Sequence, residues 1–419
     1  MIQSDNIILS NIEKGGTRPA IVVLAFNRPK ALLRLLNCLD QSHIPPEATL
    51  ILSVEGEADP EVLKIVKEYK TSQCIVEKVF LKERLGLRKH VLRCADNALK
   101  FGAVIVLEDD LIVDPYFYQY SVQAVDFYRG CDCIAGISLY SYEFNEFSKL
   151  PFTPMANGYS TYIMQVVSSW GQCWTDKQWS SFLEWYNKKS KSEISEIDGL
   201  PSEVASWPQS SWKKYYQSYL ISNKSFFVFP YLSLSSNCSD HGGTHVKEQF
   251  NFHQVSLGSP NRCPPDFKFC PPNDTEVLYD AYMEPCGEFV YRSLGIDSRE
   301  VTIDIQGIKP SELVKKKKYT LTSRLSKKGL VSYTWRFLPP EANIRYPLPY
   351  DRKSILNLVE SQNLVTNSRK IWSPVFLSLY TRFDLAGLKM IFAVIMLLPK
   401  SVFIKILWVV CCLKRLWSQ

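Results

Sequence analysis

Between residues 19 and about 111 short apolar runs alternate with amphipathic ones, and this rhythm limits the fold more than any other feature of the chain. AIVVLAFN is β-branched and apolar, as a strand buried on both faces of a sheet must be. RPKALLRLLNCLDQ follows it, with leucines at helical spacing and Pro29 suited to a first helical turn. TLILSVEG, CIVEKVFL and AVIVLEDD repeat the strand texture; PEVLKIVKEYK and LRKHVLRCADNALKF repeat the helical one. The pattern predicts an α/β fold, a mostly parallel sheet flanked by helices, in which ligands sit beyond the carboxyl ends of the strands.

One such end carries Glu108, Asp109 and Asp110 in succession. Three adjacent like charges repel, so they either face water or gather to grip a cation. The remaining composition sets bounds on partners. With 419 residues, 46% hydrophobic and 22% charged, the chain can bury a sizeable core in two or three structural units. A net charge of +7 suits an anionic membrane surface or phosphate-bearing substrates, but is too diffuse to argue for nucleic acid.

Past the triplet, PYFYQYSVQAVDFYR reads as a helix and CDCIAGIS as a strand, followed by an aromatic, loop-rich stretch over 140–169. In SSWGQCWTDKQWSSFLEWYNKK, Thr175 and Gln178 have capping-box spacing, and Trp179, Phe182 and Trp185 recur at helical intervals. A polar linker over 188–206 leads to a helix, a short strand and a glycine-containing loop. The expected organisation is an N-terminal segment 1–17, a catalytic α/β domain 18–250, an irregular or mixed extension or lid 251–370, and a tail 371–419.

The tail's apolar run LKMIFAVIMLLPKSVFIKILWVVCCLKRLW is cut by Pro399 and Lys400 into halves shorter than the ~20 residues a spanning helix needs. It predicts an in-plane or re-entrant membrane anchor, with Lys389, Lys400, Lys405, Lys414 and Arg415 at headgroup level and Trp408 and Trp417 at the interface. A helical hairpin packed on the protein's own surface is the alternative. The twelve cysteines are scattered and no secretory signal precedes them, so reduced thiols in a cytosolic protein are expected. Cys131 with Cys133, and Cys263, Cys270 and Cys286 near His253, lack the paired C-x-x-C spacing of zinc ribbons and read as incidental thiols.

Transfer of a sugar from a nucleotide sugar requires a diphosphate to leave, and a hard divalent cation held by carboxylate neutralises it. VLEDDLIVDPYFYQY resembles the acidic metal motif of GT-A fold glycosyltransferases, the group that includes N-acetylglucosaminyltransferase I and its bacterial relatives in polysaccharide assembly. VLAFNRPKALLRLLNCL, LKERLGLRKHVLRCADNAL, SSWGQCWTDKQW and LSLSSNCSDHGGTH are similar to further segments of that family, in family order from Ile21 to about His245.

The resemblance implies that Asp110 ligates Mn2+ or Mg2+, that Glu108 and Asp109 orient the nucleotide-diphosphate sugar, and that Arg28 lies by the nucleotide. Glu55 stands in the place of the family's base-binding aspartate, and Arg88 and His90 fall in the segment that approaches the donor phosphates. His245 is expected at the metal or the diphosphate, or else as a hydrogen-bonded loop residue. The family's acidic pair is replaced by Lys213 and Lys214, which leaves Asp240, with Asp176 behind it, as the expected base. Trp170, Gly171 and Trp174 are expected to shape the acceptor pocket, or to be core.

The activity implied is metal-dependent, inverting transfer to a saccharide or lipid-linked acceptor at the cytoplasmic face of a bacterial inner membrane, in lipopolysaccharide, capsule or exopolysaccharide assembly. Two other readings compete with it. A sugar nucleotidyltransferase would need a glycine-rich basic loop after the first strand, which FNRPKALL does not supply. A non-catalytic scaffold descended from a glycosyltransferase would have no use for three adjacent carboxylates.

Overall fold

The computed structural model describes residues 17–189, 194, 197–240, 253–258, 264–324, 326, 329–349 and 355–365. Its first hundred residues bear out the alternating rhythm. Strands β1 (Ala20–Ala25), β2 (Thr49–Val54), β3 (Ile75–Phe80) and β4 (Ala103–Glu108) pair in parallel. They are connected through helices α1 (Pro29–Asp40), α2 (Pro60–Glu68), α3 (Leu87–Ala95) and α4 (Asn97–Phe101). Every residue of β1 is buried because both faces of the sheet are covered. Ile21, Val23 and Ala25 pack with Leu32, Leu35, Leu36 and Leu39 of α1, while Ala20, Val22 and Leu24 share the opposite core with Val91, Ala95, Trp174 and Trp179. Each such leucine contributes about 1.5–3 kcal/mol by leaving water.

The sheet continues beyond β4. After β5 (Leu111–Val113), α5 (Phe117–Tyr128) and β6 (Ile134–Ser138), the stretch expected to be loop holds a small hairpin, β7 (Phe144–Asn145) and β8 (Leu150–Pro151), and then β9 (Thr161–Met164). Strand β10 (Gln172–Thr175) runs antiparallel between β4 and β6. Helix α6 (Asp176–Lys188) opens on the capping box that Thr175 and Gln178 predicted. It is followed by α7 (Ser202–Ser206), α8 (Trp212–Ser222), β11 (Phe226–Pro230), β12 (Ser235–Asn237) and β13 (Leu278–Tyr279). The order across the central sheet is β13-β9-β11-β6-β10-β4-β1-β2-β3. Strand β13 lies in the segment read as a lid, yet it pairs with β9, and Phe269 and Cys270 join the main core.

The remainder of the extension is less irregular than its composition suggests. Helix α9 (Glu288–Leu294), β14 (Val301–Asp304), α10 (Ser311–Val314), β15 (Tyr319–Thr322), β16 (Gly329–Tyr333), α11 (Ala342–Arg345) and β17 (Leu356–Glu360) form a second unit. Its four-stranded sheet, ordered β14-β15-β17-β16, has a core around Val301, Ile303, Leu321, Trp335, Leu356 and Leu358. The glycine loop after Asp240 and the apolar tail lie outside the described residues, among which no helix is long and apolar enough to cross a membrane. Among them, too, no set of three His, Cys, Asp or Glu side chains forms a metal cluster, and Cys131, Cys133, Cys270 and Cys286 are free thiols.

Two strand registers position the site. β1, β2 and β4 are parallel and pair Leu24 with Glu108 and Ala25 with Val54, so the residues just after each strand emerge at one edge. β5 pairs antiparallel with β12, matching Leu111 to Asn237, and Cys238 N–H donates to the Asp110 carbonyl at 3.0 Å. The chain at 237–240 is thereby fastened beside the acidic triplet.

Two stability predictions follow from the packing. A methyl group at Gly136 would lie 2.3 Å from Cζ of Phe227 on the neighbouring strand, so Gly136→Ala is expected to lose about 1–3 kcal/mol in denaturant unfolding. Glu341, buried where the second unit meets β13, accepts a 2.6 Å hydrogen bond from the Tyr279 hydroxyl, and burial pushes its carboxyl up to about 7. A folded-state value above the unfolded one means that stability is full below about 4.3 and falls as pH rises through 7. Relative to wild type, Glu341→Gln should therefore gain on the order of 1–3 kcal/mol between pH 5 and pH 8.5; an unchanged difference would contradict a buried, raised Glu341.

Candidate active site

At the shared carboxyl edge a cavity of about 280 Å³ opens, lined by the acidic triplet and by Trp170, Lys213 and His253 among others. The triplet is stable there because β1 delivers a guanidinium to it. Arg28 donates to Asp109 Oδ1 and, at 2.7 Å, to Asp110 Oδ2, while the Trp212 side chain hydrogen-bonds Glu108. One guanidinium cannot balance three carboxylates. Burial first, then the neighbouring Asp110, pushes Glu108 up to about 8 despite Arg28. Burial likewise pushes Asp109 up to about 6, against the pull of Arg28. Asp110 Oδ1 is buried and has no hydrogen-bond partner among the described residues.

The end of β2 supplies a second anchor. Glu55 Oε1 accepts from the N–H groups of Gly56 at 3.2 Å and Leu85 at 2.8 Å, and Oε2 from Gly86 at 3.1 Å. A side chain at Gly56 would fall 2.2 Å from the Glu83 carbonyl carbon, so glycine lets the 83–86 loop lie directly on this corner. Glu55 lines the cavity, but its oxygens are already engaged in organising that loop.

The two cations expected at the donor phosphates need correction. His90 is 3% exposed, hydrogen-bonded to Ser53 at 2.8 Å and 3.5 Å from Glu55. Burial outweighs the attraction of Glu55 and holds its ring below the usual histidine range, so it is neutral rather than cationic at pH 7. Arg88 donates to the Tyr215 hydroxyl at 2.6 Å and stacks over that ring, outside the cavity lining. Arg84, which sequence reasoning missed, lines the cavity instead, over the ring of Phe26.

The antiparallel register of β10 decides the acceptor and base expectations. Thr175 pairs with Ala103 at the far end of β4, so Asp176 is a strand's length from the triplet, about 17 Å at a rise of ~3.3 Å per residue. Its candidacy as a base is removed. Trp174 pairs with Val104 and is fully buried among Trp179, Trp212 and Tyr216, so it is core rather than acceptor pocket. Trp170 does line the cavity. Gly171 sits behind it at φ +87°, where a methyl group would meet Leu139 and Ser235 at 3.1 and 3.2 Å. Asp240 also lines the cavity, but both its oxygens are taken by Arg34 of α1 in a two-pronged ion pair, one arm at 3.0 Å. His245 lies outside the described residues.

Where the family resemblance places an acidic pair, Lys213 has brought its own counter-ion. Its ammonium lies 2.9 Å from both oxygens of Glu146 and 3.3 Å from the Tyr142 hydroxyl. The rings of Trp207, Trp170 and Tyr142 surround it at 5.2, 5.4 and 5.9 Å. His253 packs on Trp170 with ring centres 4.6 Å apart. Burial holds its imidazole below the usual range, with Glu146 raising and Lys213 and Lys149 lowering it. Neither Glu146 nor His253 stands in a motif that spacing marks; the Trp170 segment was the one sequence signal pointing toward them.

The segment 20–179 matches the family model described as glycosyl transferase family 2. A comparison with curated proteins returns no match. Among solved structures, the chain is similar to S. aureus TarS 1–349, at 14% identity over 51% of this chain and 60% of that one, with a TM-score of 0.32. The same protein in complex with UDP aligns at 14% identity over 51% and 60%, TM-score 0.33. The mannosyltransferase PcManGT from Pyrobaculum calidifontis, in complex with GDP-Man and Mn2+, aligns at 11% identity over 52% and 58%, TM-score 0.31. The chain thus spans about 60% of the length of these relatives. The match to the glycosyl transferase family 2 model runs from the first buried strand through the acidic triplet to the start of the capped helix α6.

Proposed function

We propose that the protein transfers a sugar from a nucleotide-diphosphate sugar to a saccharide or lipid-linked saccharide, with a divalent metal at Asp110 and inversion at the sugar carbon. The observation that carries this reading is the undercompensated triplet: three acidic side chains, one guanidinium and a buried Asp110 oxygen without a partner among the described residues, all lining one cavity. The donor set fits a hard cation. Since the three acids do not close into a cage, Asp110 would be the direct ligand, and water and phosphate oxygens the others, as Mg2+ or Mn2+ prefers. When bound, the metal would neutralise charge on the departing diphosphate. Arg28 and Arg84 both line the cavity and would hold that diphosphate, because guanidinium matches phosphate oxygens two at a time. Trp170 offers an aromatic face for a sugar ring.

The apolar, basic tail 371–419 supports an acceptor at a membrane surface, and with it a peripheral place at the cytoplasmic face of a bacterial inner membrane in surface polysaccharide assembly. One observation favours a second reading. Lys213 stands at the expected acidic pair and Asp240 is held by Arg34, as a non-catalytic descendant could tolerate.

Calorimetric titration of the full chain with UDP, GDP, CDP and dTDP, with and without Mn2+, tests the proposal. One nucleotide is expected to bind in a metal-dependent way, and Asp110→Ala to weaken it at least tenfold. Binding of none under any metal condition would overturn the transferase reading. A donor site that binds without turnover of any matching nucleotide sugar would favour the scaffold.

A further inference from the structure

Single-displacement transfer needs a group to take the acceptor hydroxyl's proton, and the cavity's carboxylates are engaged elsewhere. Asp109 and Asp110 face Arg28, and Glu108 is bound by Trp212 within the donor motif. Glu55 accepts three backbone N–H groups, and Asp240 is clasped by Arg34. His90 is tied to Ser53 and Glu55. Lys213, at the position where the resemblance expects an acid, is a cation neutralised by Glu146.

Among the described residues one proton-accepting side chain of the lining is left. His253 faces the cavity, lies against Trp170, and has no hydrogen bond to its ring nitrogens among the described residues; its backbone carbonyl is fixed by the Tyr140 hydroxyl at 3.1 Å. We propose that His253 is the catalytic base of this site, positioned on Trp170 to take the proton of an acceptor hydroxyl stacked in the same cavity. The inference rests on the glycosyltransferase reading. The acceptor oxygen forms its bond to the anomeric carbon as the bond from that carbon to the diphosphate oxygen breaks. The diphosphate leaves with the bonding pair, the proton passes to the imidazole, and the imidazolium then releases it to water.

The surroundings suit that role. Among the described residues, the charged groups acting on the ring are Glu146, whose attraction favours the imidazolium, and Lys213 and Lys149, which oppose it; the rings of Trp170 and Phe144 supply the apolar contact. Burial and the two lysines prevail and keep the base neutral at pH 7. The Lys213–Glu146 pair holds Trp170 in place beneath it through the ammonium's contact with that ring.

The test uses the full chain and the nucleotide that binds in calorimetry, supplied as its sugar conjugates with Mn2+, with release of nucleoside diphosphate to water as the readout. His253→Gln is expected to bind the nucleotide within twofold of wild type and to lose turnover by about 100- to 10,000-fold, the usual worth of general base catalysis. The wild-type rate should fall on acidification through a value below 6.5, a limb absent from the residual activity of the variant. Independently, carbethoxylation of the resting protein by diethyl pyrocarbonate, located by mass spectrometry, should modify His253 and spare His90, and bound nucleotide sugar should protect His253. A variant that keeps its turnover with an unchanged acid limb, or a His253 that no nucleotide sugar protects, overturns the proposal and returns the role to Asp240. Failure of every nucleotide to bind either protein overturns the transferase reading itself, and the base with it.

Discussion

The ion pair between Arg28 and the acidic triplet is the contact on which the rest of the site depends. Three carboxylates at a buried strand end are costly, and the parallel register of β1 and β4 brings the compensating guanidinium to the same edge. Buried charge is tolerated when paired and hydrogen-bonded, and costs several kcal/mol when left alone. Here the pairing is incomplete by design of the geometry, since one Asp110 oxygen keeps no partner among the described residues. A site left short of positive charge in this way favours arrival of a cation.

Around that pair, the scaffold uses backbone to fix side chains. Glu55 gathers three N–H groups of its own corner and the 83–86 loop, and the β5–β12 ladder locks the chain at 237–240 against Asp110. The surroundings of Trp170 are built differently, from aromatic rings around a lysine–glutamate pair. Carboxylates, guanidinium groups and aromatic faces thus line one cavity.

The α/β rhythm was legible because parallel strands buried on both faces must be apolar throughout, and the triplet was legible because it breaks such a run. The capping box at Thr175 and Gln178 was equally local and equally readable. What escaped depends on pairing across the chain. No local pattern says that β10 runs antiparallel to β4, yet that direction alone sends Asp176 to the far end of the sheet and Trp174 into the core. His90 reads as a cation until Ser53 and Glu55 are seen around it, and Arg84 exchanges places with Arg88 because the loop turns between them. Glu146 and His253 are separated from Lys213 by long stretches of sequence and meet it only in the folded protein.

The most direct measurement is a crystal structure of the full chain with Mn2+ and the nucleoside diphosphate it binds, with manganese located by its anomalous scattering. The site described here predicts a manganese peak about 2 Å from Asp110 Oδ1, with the diphosphate between it and the guanidinium groups of Arg28 and Arg84. A diphosphate bound away from β4, or a manganese peak that does not touch Asp110, would contradict the assignment of the triplet as the donor site.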